Sequence, residues 1–213
     1  MMQTVKHASK SALALVGLIG LAGCPHAKTD TTSPEEDLAV DLLPLDKGAK
    51  WTYRARVLRF DDEAGRETET KLEWTTQVVD VMQGAVTAYV VKGWPSDLAS
   101  FEGQPQPTER ILIRSGDAVL WGREKSADSV EGAEGWFTEP LQDGQKICPD
   151  PGITYCWDVV QRDGAWQLTF HTGPDEEVYR LKRGTGVVYY HYAHHGTTNE
   201  VTAELVKYTP PEK

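Results

Sequence analysis

The chain has 213 residues, 39% of them hydrophobic, enough to bury one sizeable core and so one domain. Its 22 basic residues are scattered among 32 acidic ones, for a formal net charge of −10, and without a basic patch no nucleic-acid partner is expected.

The N-terminal segment reads first. Lys6, His7 and Lys10 precede an uncharged run over residues 11–23, which closes on Leu21, Ala22, Gly23 and then Cys24. A basic n-region, a short apolar h-region and small residues before a cut form an export signal. As a helix the uncharged run reaches only about 20 Å, short of a hydrocarbon core of about 30 Å, so it is not a permanent span. The Leu-Ala-Gly-Cys ending resembles the lipobox of bacterial lipoproteins. That resemblance implies cleavage before Cys24, palmitate-type acylation of Cys24 as the mature N-terminus, and a multi-chain anchor that holds where one acyl chain binds only marginally. A plain secretory signal is the alternative, and it needs no cysteine at the cut. Pro25 rather than an acid follows Cys24, which points to the outer membrane of a Gram-negative cell, with the domain facing the periplasm. Removing residues 1–23 takes away Lys6 and Lys10 and no acid, so the mature net charge becomes −12.

Residues 24–43 hold Pro25, Pro34, Glu35, Glu36, Asp37 and several Ser and Thr. Such a segment buries too little apolar surface to offset its ordering entropy, and it reads as a tether of about 25 Å reach. The single domain is then 44–213.

From Trp51 the pattern turns to period two. Trp51, Tyr53, Ala55 and Val57 alternate with polar residues, as do Leu72, Trp74, Thr76 and Val78, and Trp166, Leu168 and Phe170. One dry and one wet face indicate antiparallel sheet. Gln83-Gly84, Gly116-Asp117, Gly173-Pro174-Asp175 and residues 196–199 mark reversals. Asp163-Gly164 marks the strongest one, because a type I′ turn needs positive φ at both central residues. The expectation is a mainly β domain of about nine strands, a curved antiparallel meander forming a half-barrel, barrel or sandwich. Helical signal is scarce. Residues 96–102 and 124–135 read as loops, and 126–135 is the soft spot between halves 44–135 and 136–213.

A weak internal echo accompanies that division. Pro44, Leu45, Gly48 and Lys50 recur at the same spacing as Pro140, Leu141, Gly144 and Lys146, and the stretch from Ser115 to Trp121 resembles that from Arg183 to Tyr189. Either a strand unit was duplicated, giving a pseudo-symmetric sheet, or glycine turns coincide. The Pro-Leu-x-x-Gly-x-x-Trp-x-Tyr opening is similar to that of many uncharacterised exported bacterial proteins, a resemblance that implies β structure and no activity.

With Cys24 lipidated, Cys148 and Cys156 remain as a pair in an oxidising compartment, and a disulfide is the default. Loop-closure entropy puts its contribution near 2.5 kcal/mol. The spacing suits neither a redox pair nor a zinc site.

Candidate chemistry is sparse. His191, His194 and His195 crowd together with His171, but on a strand His191 and His195 lie about 13 Å apart and His194 faces away, so surface histidines are preferred to a metal site. The acid runs Asp61-Asp62-Glu63 and Asp175-Glu176-Glu177 read as solvated turns rather than a hydrolytic carboxylate pair. No nucleophile, metalloprotease, phosphate-loop or dinucleotide motif occurs, and no cofactor is expected. Trp94, Trp121, Trp136, Tyr189, Tyr190 and Tyr192 remain as core aromatics or, if they line a concave face, as an apolar ligand groove. The preferred reading is a non-enzymatic envelope lipoprotein binding a hydrophobic ligand or an envelope protein. The rivals are an envelope hydrolase acting on glycan or lipid, and a glycan-binding module. A lined barrel would favour a carrier, and a filled interior a protein partner.

Overall fold

A computed structural model describes residues 41–61, 65–100, 103–148, 152, 154–196 and 199–212. The export signal, Cys24, nearly all of the tether, Asp62 and Glu63 lie outside the described residues.

Twelve strands make up the first half, β1 (Lys50–Asp61), β2 (Arg66–Gln83), β3 (Thr87–Lys92), β4 (Glu109–Ser115), β5 (Ala118–Gly122) and β6 (Glu134–Thr138), and the second, β7 (Lys146–Ile147), β8 (Trp157–Arg162), β9 (Ala165–His171), β10 (Asp175–Lys182), β11 (Gly186–His194) and β12 (Asn199–Thr209). One short 3-10 turn, η1 (Pro95–Ala99), lies between β3 and β4, where the sequence reads as loop. All twelve strands join one antiparallel sheet in the order β6-β5-β4-β3-β2-β1-β12-β11-β10-β9-β8-β7. The strand count exceeds the expected nine.

That order fixes the curvature. β6 and β7 are consecutive in the chain yet occupy opposite edges of the sheet. A flat twelve-stranded sheet is about 53 Å wide at a strand spacing of about 4.8 Å. The connection over residues 139–145 spans at most about 28 Å when fully extended. The sheet must therefore curl until its edges approach, giving a barrel closed by β1 against β12 and open at the seam between β6 and β7.

The inward faces fill this barrel. Trp51, Tyr53, Trp94, Trp136, Tyr179 and Tyr190 are all almost fully buried, so the interior is packed with rings rather than hollow. Tyr53 donates to the carbonyl of Val187 at 2.9 Å, and Trp74 to that of Gly93 at 2.8 Å, which satisfies the polar tips. Leu42 and Leu43, read as the end of the tether, are core residues, because they cap one end of the barrel; the domain therefore starts before residue 44. A second cluster, with Val90, Ile111, Ile113 and Ala127, lies on the other face, where residues 123–133 fold across β3 to β5. This explains why Ile111, Leu112 and Ile113 are buried consecutively instead of alternating.

The echo is a structural repeat. In the first copy the Gly48 N–H donates to Val78, the Ala49 N–H to Asp46, and the Val78 N–H to Ala49, at 2.9, 3.0 and 3.0 Å. In the second the Gly144 N–H donates to Val159, the Gln145 N–H to Gln142, and the Val159 N–H to Gln145, at 2.9, 3.1 and 2.9 Å. Both glycines adopt positive φ, 91° and 76°, and Leu45 and Leu141 are both buried. The copies interlock: the Gly184 N–H in the β10–β11 turn donates to Asp41, and the Glu139 N–H donates to Asp117 in the β4–β5 turn. The boundary between halves falls at residues 139–145, not at 135/136, which would cut β6.

The type I′ turn is present, with φ of 53° at Asp163 and 73° at Gly164, and Arg162 pairs with Ala165. Cys148 and Cys156 are disulfide-bonded, closing the loop between β7 and β8.

Candidate functional site

Because each strand reverses the last, the barrel has two distinct ends. The chain enters at the proximal end through Asp41, beside the β4–β5 and β10–β11 turns. The distal end carries η1, the disulfide loop and the β9–β10 and β11–β12 turns. A cavity of about 450 Å³ opens at the distal end, between the two sheet edges. β7 is only two residues long, and the seam above it is where this space lies.

Each edge contributes an aromatic wall. Trp121 of β5 stands on one side; Trp157 of β8 and Phe170 of β9, 5.1 Å apart between ring centres, stand on the other. Trp94 and Trp136 back Trp121 at 5.4 and 4.9 Å, and Tyr179 meets Trp136 at 5.2 Å and Trp157 at 5.8 Å. These interlocked rings have few rotamers left, so the walls are rigid. Tyr155, half-exposed in the disulfide loop, meets Phe170 edge-on at 6.4 Å and extends that wall outward.

Glu177 is the polar centre. It faces inward on β10 between Tyr192 and Phe170 of the neighbouring strands. Burial pushes its carboxyl above the usual glutamate range, an effect opposed by the hydroxyls of Tyr179 and Tyr190 and the charge of Arg110. Tyr179 donates to Glu177 Oε1 at 2.9 Å and receives the Trp94 indole N–H at 3.2 Å. The run from Asp175 to Glu177 was expected in a solvated turn. Instead Gly173 and Pro174 complete the reversal and strand alternation begins at Asp175, which turns Glu177 into the barrel mouth.

Arg110 borders the same cavity and is held from behind by Asp97 of η1. Its Nε and Nη2 lie 2.9 Å from Oδ1 of this buried carboxylate, which also accepts from the Thr108 backbone and hydroxyl at 2.8 Å. Arg123, Glu109 and Glu134 lie at the rim, and Lys125 pairs with Glu109.

The other candidates scatter. Trp94, Trp136 and Tyr190 are core residues, and Trp121 alone of the six aromatics borders the cavity. Tyr192 is half-buried and donates to Asp175 at 2.7 Å; Tyr189 lies on the outer face beneath the Arg180 guanidinium, 4.8 Å from its ring centre. His194 Nδ1 is 2.8 Å from Asp175 Oδ1, and this imidazole, followed by the Tyr192 hydroxyl, holds Asp175 below the usual aspartate range. His171 and His191 approach Glu176 at 3.4 and 3.8 Å, and His195 is exposed in a turn. No three His, Cys, Asp or Glu side chains among the described residues are placed to hold a metal.

Sequence reasoning missed Trp157, Phe170, Glu177 and Arg110 as neighbours. Alternation put Phe170 on a dry face, but only the order of the strands shows which tips converge.

No protein-family model and no curated protein matches the chain. Two solved structures are similar over 80% of it. One, an exported protein with a YmcC-like fold from Bacteroides fragilis, is 8% identical, with a TM-score of 0.44 over 100% of its own chain. The other, a lipoprotein from Parabacteroides distasonis, is 7% identical, with a TM-score of 0.44 over 99% of its chain.

Proposed function

We propose that the protein is a lipid-anchored envelope protein, held at the outer membrane by acylated Cys24, whose β domain binds a small amphipathic ligand in the distal cleft without transforming it. The observation that carries this reading is the cleft itself: two rigid aromatic walls meet around one inward carboxyl and one pre-positioned guanidinium. The packed interior leaves no tunnel for a long acyl chain among the described residues, so an apolar ring or short apolar face suits the space better. The described chain enters the barrel at Asp41, at the end opposite the cleft mouth.

A second reading has a specific observation behind it. A carboxyl held above its normal range inside a cleft is the state of a general acid, and Glu109 and Glu134 at the rim supply further carboxylates for glycan or lipid hydrolysis. Glu177→Gln separates the two, because a binding group tolerates the isostere and a proton donor does not.

The test is native mass spectrometry of the whole mature chain carrying Cys24→Ser, exported in its own host behind a secretory signal and purified without detergent. A bound mass that disappears in Trp121→Ala supports the reading. A bound mass retained in that variant and lost only on changing the outer face, at Arg180 or Tyr189, refutes it.

A further inference from the structure

We infer that the distal cleft takes a neutral saccharide ring, stacked between Trp121 and the Trp157–Phe170 wall and hydrogen-bonded at its edge by Arg110 and Glu177. This rests on the reading of the cleft as a ligand site and names the class of ligand.

Charge is the first argument. Around the cleft, Arg110, Arg123 and Lys125 are matched by Asp97, Glu109 and Glu134, leaving Glu177, whose ionisation burial opposes. Arg110 is already neutralised at 2.9 Å by Asp97, and Glu109 by Lys125. A phosphate or carboxylate ligand would meet Glu109, Glu134 and Glu177 beside the guanidinium groups, and an ammonium ligand would meet Arg110 and Arg123 beside the carboxylates, so an ion of either sign is opposed by like charge while it pays desolvation. A neutral ligand carries no such penalty.

Hydrogen bonding is the second. The groups facing the cleft comprise the guanidinium donors of Arg110 and Arg123, carboxylate acceptors, and the hydroxyl of Ser96, a group able to act as both. Vicinal hydroxyls of a sugar present both donors and acceptors around one rim, and they match this mixture. A fatty acyl chain would strand it unpaired, at a cost for every desolvated polar group.

Shape is the third. A pyranose has two apolar C–H faces and a polar perimeter, and the cleft has two aromatic walls with polar groups between them. Its volume of about 450 Å³ is ample for one ring with its neighbour projecting through the open side of the seam. Trp94, Trp136 and Tyr179 close the floor, so the ligand lies across the mouth rather than threading the barrel.

The experiment follows the indole N–H signals of the seven tryptophans by NMR in the whole mature chain carrying Cys24→Ser. The probes are neutral mono- and disaccharides of glucose, galactose and N-acetylglucosamine, with decanoate, choline and inorganic phosphate as the other classes. A neutral saccharide is expected to shift Trp121 and Trp157 while Trp51 and Trp166 stay still, with an affinity unchanged by salt. Trp121→Ala should weaken it roughly tenfold, the equivalent of about 1.4 kcal/mol, and Glu177→Ala, which removes an edge hydrogen-bond partner, should weaken it as well. Retained dispersion of the other indoles confirms that each variant is folded. If decanoate, choline or phosphate moves Trp121 and Trp157 and no saccharide does, the assignment to sugars is overturned and the cleft remains a ligand site. If no probe moves them, both are overturned.

Discussion

Asp97 is the residue whose removal tests the construction of the cleft most sharply. Its side chain is 1% exposed, and its carboxylate accepts four hydrogen bonds, two from Thr108 and two from Arg110. Removing one partner of a buried ion pair costs about 3–5 kcal/mol, because the other charge is stranded. Here the stranded partners are not sealed in: the Arg110 side chain is 40% exposed and Thr108 reaches solvent, so both recover water. Asp97→Ala should therefore fall near the lower end, about 3 kcal/mol, and Asp97→Asn, which keeps two acceptor directions but not the charge, about half as much. Urea denaturation of both variants, and of Arg110→Ala and the double variant, gives the coupling between the residues through a double-mutant cycle. A coupling of about 1–2 kcal/mol is expected. A cost below about 1 kcal/mol for Asp97→Ala, well under the range for a buried pair, would show that Asp97 does not hold Arg110 and that the guanidinium is not pre-positioned.

Four further outcomes follow from the same structure. The folded state keeps the Glu177 proton after the unfolded chain has lost it. The stability this gives is therefore full below the ordinary glutamate range and falls as pH rises toward the folded value; Glu177→Gln should flatten that fall, by about 1.4 kcal/mol for each pH unit of displacement. Asp175 acts with the opposite sign, so Asp175→Asn should cost stability at neutral pH and converge on wild type in acid. Cys148→Ser should lower stability by about 2.5 kcal/mol in chemical denaturation and loosen the Tyr155–Phe170 contact, read as faster exchange of amides in the loop. Gly48→Ala and Gly144→Ala should each cost about 1 kcal/mol, from the left-handed backbone alone, since an added Cβ meets nothing closer than 3.8 Å at Gly48 and nothing within 4 Å at Gly144; unequal costs would argue against equivalent roles.

Much of the fold was legible because local rules agreed with one another. Period-two alternation at Trp51 to Val57 and the Asp163-Gly164 turn each have one low-energy solution, and the structure adopts it. The Pro-Leu-x-x-Gly echo carried the repeat, since a positive-φ glycine and a buried leucine recur only where the same turn is built. The site was not legible, for a physical reason. Trp121, Trp157, Phe170 and Glu177 are remote in sequence and meet only because the sheet curls its edges together, and that closure depends on pairing β1 with β12 across the whole chain. Glu177 shows the limit most plainly: its neighbours Asp175 and Glu176 make it look like part of a solvated acidic run. A one-residue difference in where β10 begins decides whether Asp175 and Glu177 or Glu176 alone faces inward, as expected for a period of two.

The central claim is that the ligand sits at the distal seam, and the most direct measurement is an indole N–H spectrum of the mature chain with and without an envelope extract of its own host. The account predicts that the Trp121 and Trp157 signals move, that Trp51 and Trp166 do not, and that Trp121→Ala weakens the response at Trp157. Shifts confined to residues outside the cleft, or none at all, would contradict it.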